Sequence, residues 1–125
     1  MIVDTSALLA VLFKEPAVAW LTGQFRKNSS SLLMSTVNLT EALIIIRSRQ
    51  EKLFDQLRTE IFGTPIRFVP PTVKHAETAA WARLKFPLNL GDCFAYALAK
   101  EEDDSLLTLD TDFGQTDIPI VIPPR

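Results

Sequence analysis

The first thirteen residues, "MIVDTSALLAVLF" from Met1 to Phe13, decide the fold. Three apolar residues make a short strand. An acid and two hydroxyl residues follow, and then an apolar run that suits a helix within Thr5 to Phe13. Asp4 stands at the junction. It has a plain role available there, as the cap of the helix that follows.

The same strand-then-helix pattern continues outward from that junction. "LLMST" (32–36), "IRFV" (66–69), "SLLTL" (105–109) and "IPIVI" (118–122) read as further strands. Between them lie helical stretches. Pro16 suits the first turn of a helix running to about Lys27. "NLTEALIIIRSRQ" (38–50), "EKLFDQLRTEIF" (51–62), "TVKHAETAAWARLK" (72–85) and "GDCFAYALAKEE" (91–102) are four more. In the last, Phe94, Ala95, Leu98 and Ala99 share a face. "VPPTV" (69–73) is a rigid turn whose Thr72 can cap the next helix. Strands that alternate with helices predict an α/β fold with a parallel sheet covered on both faces.

Composition fits one compact domain. The chain has 125 residues, of which 47% are hydrophobic, enough for a substantial core. No stretch is long and apolar enough to span a bilayer, and no secretory signal is apparent. The one cysteine, Cys93, cannot form an internal disulfide and fits a reducing, cytoplasmic setting as core filling. The formal charge of −2 argues against tight nonspecific binding to duplex DNA, since proteins that hold phosphate backbones are usually basic. Clustered metal-binding acids would lower the total by themselves.

Placed on these elements, the acids fall into register. Asp4 follows the first strand, Glu41 lies in the first turn of the helix after the second, Asp92 opens the helix before the fourth strand, and Asp110 follows that strand. Singly, each has a local reading. Asp4 and Asp110 suit N-caps, Asn38-x-x-Glu41 has the form of a capping box, and Asp92 complements a helix dipole. Together they sit where an open parallel sheet collects its strand ends, the edge at which ligands bind. Two carboxylates about 4 Å apart repel by roughly 4 kcal/mol at an effective dielectric near 20. A divalent cation would offset this, and an all-oxygen donor set favours Mg²⁺ or Mn²⁺ over zinc. That chemistry suits metal-assisted hydrolysis of a phosphodiester. No P-loop, zinc-protease helix or cysteine pair competes.

Three segments carry a family likeness: "MIVDTSALLA" (1–10), "NLTEAL" (38–43) and "LNLGDCFAYALAKEEDDSLLTLDTDFGQTDI" (88–118). In order and spacing they resemble PIN-domain ribonucleases of the VapC toxin type, over nearly the whole chain. The resemblance implies one PIN domain over residues 1–125, a three-layer α/β/α sandwich with a central, mainly parallel sheet. It implies a Mg²⁺- or Mn²⁺-dependent endoribonuclease with Asp4, Glu41, Asp92 and Asp110 as catalytic and metal-binding acids. Thr108 matches a supporting hydroxyl residue of the family, and Ser6 is a second of that kind. The stretch "LDTDF" (109–113) leaves Asp112 able to share or take the place of Asp110. The family further implies a homodimer and a cognate VapB-like antitoxin, whose tail occupies the groove.

Other functions compete. A dehalogenase-like phosphatase would want an acid where Ser6 stands, and a receiver domain would want paired acids and a late lysine. A PIN domain acting in RNA processing, or a noncatalytic RNA- or partner-binding module, would keep the fold. Arg47 and Arg49 suit either RNA phosphate or surface pairing. The apolar run Leu43 to Ile46 suits core together with a partner surface. Trp20 and Trp81 are read as packing residues, and His75 as exposed and not a base.

Overall fold

In the computed structural model, which describes residues 1–124, five short strands form one parallel sheet. They are β1 (Ile2–Val3), β2 (Leu33–Ser35), β3 (Arg67–Val69), β4 (Leu106–Leu107) and β5 (Ile120–Val121), in the order β3-β2-β1-β4-β5. Six α-helices accompany them: α1 (Thr5–Leu12), α2 (Val18–Lys27), α3 (Thr36–Arg49), α4 (Phe54–Gly63), α5 (Val73–Lys85) and α6 (Leu90–Glu102). Short 3₁₀ turns cover Glu51–Leu53 and Thr111–Gln115.

The strands are only two or three residues long, yet their side chains alternate cleanly. Val3, Met34 and Leu107 point into a core shared with Leu8, Leu21, Ile46 and Ile61 of α1 to α4. Ile2, Leu33 and Leu106 point into a second core with Ala79, Ala82, Tyr96 and Leu98 of α5 and α6. The result is the expected three-layer α/β/α arrangement. Among the described residues, no helix is long and apolar enough to cross a membrane.

The chain lays β1, β2 and β3 outward in one direction and then returns to place β4 on the other side of β1. Strand order therefore reverses between β1 and β4, the point where open α/β sheets bind ligands. Val3 pairs with Leu107, so Asp4 and Thr108 leave the sheet side by side. By the two-residue alternation, both follow Ile2 and Leu106 toward the face covered by α6.

Several local expectations need correction. The helix after β2 begins at Thr36, not at Asn38, because Ser35 caps it by accepting the Val37 N–H at 3.2 Å. Glu41 therefore lies in the second turn, and Asn38 is a buried helical residue, not a cap. Pro16 lies in the turn ahead of α2, whose N-cap is Ala17. His75 is buried, not exposed. Its Nδ1 accepts the Thr72 N–H at 3.1 Å, completing a capping box with the Thr72 hydroxyl, and its Nε2 meets Glu101 of α6. Arg47 pairs with Glu51 at 3.1 Å and lies over the Phe54 ring.

Helix α6 packs against α5, α3 and three strands at once, and small side chains let it do so. Ala95, Ala97 and Ala99 are essentially inaccessible to solvent. Replacing Ala99 with leucine is expected to overpack this layer and lower stability by about 1–3 kcal/mol. The check is urea unfolding, with a lower midpoint and an unchanged slope.

Candidate active site

Asp4 occupies the N-cap position of α1, but its side chain makes no capping bond. It is turned inward instead, and only 2% of the residue is exposed. Its Oδ2 accepts the Ser6 hydroxyl at 2.7 Å and the Thr108 hydroxyl at 2.8 Å. The same two hydroxyls accept backbone N–H groups from the segment after β4: Ser6 from Leu109 at 3.0 Å and Thr108 from Asp110 at 2.9 Å. One carboxylate oxygen is thereby fixed, and the loop carrying Asp110 is fixed to it. Oδ1 accepts no hydrogen bond from a side chain of the described residues.

Glu41 reaches the same place from α3. Its Oε1 accepts from the Thr5 hydroxyl and from Asn38 Nδ2, both at 2.9 Å. Asn38 and Glu41 are three residues apart on one helix face. Gly91, at the start of α6, leaves room for the carboxylate. A Cβ built there would overlap the whole Glu41 carboxyl group, with all three of its terminal atoms inside 3.0 Å.

Asp92 and Asp110 complete the set. Asp92 is the third residue of α6 and closes a capping box with Asn89: its N–H donates to Asn89 Oδ1 at 2.8 Å, and its Oδ2 faces the Asn89 N–H at 3.4 Å. Asp110 caps the following 3₁₀ turn by accepting the Asp112 N–H at 2.9 Å. A cavity of about 230 Å³ is lined by Asp4, Ser6, Glu41, Asp92 and Asp110, with Leu9 and Ile45 as its apolar wall. Thr108 reaches it through Asp4. Asp112 does not line it and is exposed. Of the two acids in "LDTDF", Asp110 is the one beside the other three.

The electrostatics follow from this crowding. Burial raises the Asp4 carboxyl above its usual range, against the pull of the Ser6 and Thr108 hydroxyls. Asp92 is pushed up to about 7, first by burial and then by the charge of Asp4, with Asp110 and Glu41 adding to it. Four carboxylates from separate segments thus act on one another. Among the described residues, no three Asp, Glu, His or Cys side chains are close enough to hold one ion together. Such a spread of oxygen donors fits a hard cation that keeps several of its waters and takes one or two carboxylates directly, as Mg²⁺ does. It does not fit zinc, because Cys93 is buried in the core and His75 is tied to Glu101.

A wider depression of about 320 Å³ lies between Trp81, Tyr96, Lys100 and Asp117. Of its two acids, Glu77 and Asp117, the latter accepts from the Tyr96 hydroxyl at 2.6 Å and from Lys100 at 3.3 Å.

Four residues at the site carry no functional expectation from sequence. Thr5, Asn38 and Gly91 support the acids through contacts between distant segments, and Asn89 through the capping box it shares with Asp92. Only Asn38 left a trace, as a polar residue one turn before Glu41, and that spacing was open to a capping reading.

The family model for the PIN domain matches residues 1–119. Ribonuclease VapC36 of Mycobacterium tuberculosis is 34% identical over 129 residues, covering 94% of this chain and 91% of that protein. Among solved structures, VapBC2 of Rickettsia felis, bound to a DNA fragment from its promoter, superposes with a TM-score of 0.80 at 14% identity, over 97% of this chain and 96% of that one. VapC20 of M. tuberculosis, described as a sarcin-ricin loop cleaving toxin, does so with a TM-score of 0.79 at 17% identity, over 98% of both. With nearly the whole sequence matched and the same sheet and helix layers present, the chain belongs to the PIN domain family and, within it, to the VapC ribonucleases.

Proposed function

We propose that this protein is a metal-dependent endoribonuclease, working as one PIN domain in the cytoplasm as the toxin of a toxin–antitoxin pair. The observation that carries the reading is the meeting of Asp4, Glu41, Asp92 and Asp110 in one cavity at the strand-order reversal. The VapC relatives support the ribonuclease and toxin parts of it. A cognate antitoxin and a second copy of the chain are its expected partners. A noncatalytic module would have no reason to keep four mutually repelling acids together.

Asp4 and Asp92 are the residues that would hold Mg²⁺ or Mn²⁺, with Asp110 and Glu41 adding negative charge around it. A bound dication would make water a better nucleophile near neutral pH and offset charge developing on the phosphate. The protein's own groups do the rest. Ser6 and Thr108 keep Asp4 in one orientation. Glu41 has Oε1 occupied by two donors, which leaves Oε2 to accept a proton from the attacking water. A new P–O bond forms as the bond to the leaving ribose oxygen breaks. The water's hydroxyl stays on phosphorus and a proton ends on the leaving oxygen. Single-stranded or looped RNA is the expected substrate, since A-form duplex hides its base edges in a narrow major groove.

The direct test incubates the purified protein, free of partner, with RNA and Mg²⁺, Mn²⁺ or EDTA. Cleavage is expected only with metal. Asp4→Asn and Asp92→Asn are each expected to lower it by roughly 100-fold or more. Intact RNA under every condition would overturn the reading. Gly91→Ala is expected to cut activity by roughly 10–100-fold by moving the Glu41 carboxylate. The displaced group is the end of a flexible side chain, so the melting temperature is expected to stay near that of the wild type.

Stability should carry the signature of Asp92. Its folded-state value, about 7, lies above the usual 3.8. Between those limits the folded state binds more protons than the unfolded one, so stability falls as pH rises through that window. Metal-free protein is therefore expected to melt several degrees lower near pH 8 than near pH 5 on account of this group. Asp92→Asn should flatten that difference, and Mn²⁺ should restore the wild type near pH 8. Thermal melts at the two pH values, with and without Mn²⁺, check all three.

A further inference from the structure

We infer that Asn38 is a positioning residue for the acid cluster: its amide fixes the Glu41 carboxylate and ties it to the first turn of the helix that carries Asp92. This inference rests on the metal-binding reading above. Asn38 is completely buried. Its Nδ2 has two N–H groups, one used within α3 and the other between α3 and α6. One goes to Glu41 Oε1 at 2.9 Å, the other to the Gly91 carbonyl at 3.0 Å. Both partners are acceptors, which fixes the nitrogen toward them. Gly91 directly precedes Asp92. Thr5, directly after Asp4, places its hydroxyl 2.9 Å from the same Glu41 oxygen and 3.2 Å from the backbone carbonyl of Asn38. The Asn38 side chain therefore links the segments of Glu41 and Asp92, and the Asp4 segment joins them through Thr5.

Structure alone gives little reason for an amide here. The Asn38 Oδ1 is buried with no hydrogen-bond partner, a cost that an apolar residue of similar size would avoid. What the amide supplies is its pair of donors. One holds a carboxylate that its neighbours repel, and the other holds α6 at a fixed distance from α3. Hydrogen bonds of this kind orient the carboxylates of metal sites, and their loss weakens metal binding.

The test is calorimetric titration of the purified protein with Mn²⁺, alongside RNA-cleavage kinetics and thermal melts. Asn38→Ala is expected to weaken Mn²⁺ binding by about 10–100-fold, and to lower kcat while leaving the KM for RNA near its original value. The residue acts through Glu41, so the loss should depend on that partner. In a Glu41→Ala background, Asn38→Ala should change Mn²⁺ affinity by less than about 2-fold. Asn38→Ser, which keeps a donor in a smaller side chain, should fall between wild type and Asn38→Ala and serves if the latter does not fold. Unchanged Mn²⁺ affinity in a variant that merely melts lower would overturn the inference, as would equal losses with and without Glu41. A wild-type protein that binds no Mn²⁺ would overturn the metal reading itself, and the inference with it.

Discussion

The pairing of β1 with β4 governs this molecule. Val3 lies against Leu107, and everything at the site is counted from there. One residue further along each strand, Asp4 meets Thr108, and the hydroxyl closes on the carboxylate. A slip of one position would send both side chains to the opposite face of the sheet. The two strands are two residues each, so ladder hydrogen bonds alone hold little. The register is set by the cores on either side, with Val3 and Leu107 in one and Ile2 and Leu106 in the other. The geometry of the acid cluster is in this sense a by-product of hydrophobic sorting.

Around that pairing the protein gathers charges that oppose one another. Burial and the charge of Asp4 both keep a proton on Asp92 well above the usual carboxylate range. The fold tolerates this because each acid is also bound locally. Asp110 caps a turn, Asp92 belongs to a capping box, Glu41 has two donors and Asp4 has two hydroxyls. For Asp92 and Asp110, the local roles that made each acid look ordinary help to keep the group together. For these two, capping and membership of the cluster are not alternatives.

The sequence disclosed the parts that depend on neighbours along the chain. Alternation of strands with helices was legible, as were the acids at strand ends and the Thr72 cap. What escaped were contacts between remote segments. The N-x-x-E spacing of Asn38 and Glu41 was visible, but Ser35, three residues earlier, competed for the cap and won, which turned Asn38 inward. His75 looked like a polar residue on an amphipathic face, and nothing near it announced Glu101 of α6 as its partner. Gly91 looked like a simple lead into a helix. Its need to lack a Cβ arises from a carboxylate fifty positions upstream in another helix.

The four acids are drawn from almost the full span of the polypeptide, and the sheet orders that span so that the middle strand is made first and its partner β4 near the last. Until β4 has emerged from the ribosome, Asp4 has neither Thr108 beside it nor Asp110 across the cavity. An incomplete nascent chain therefore cannot assemble the cluster, whatever helices it has already formed. Whatever chemistry the cluster performs is therefore a property of the nearly complete polypeptide alone.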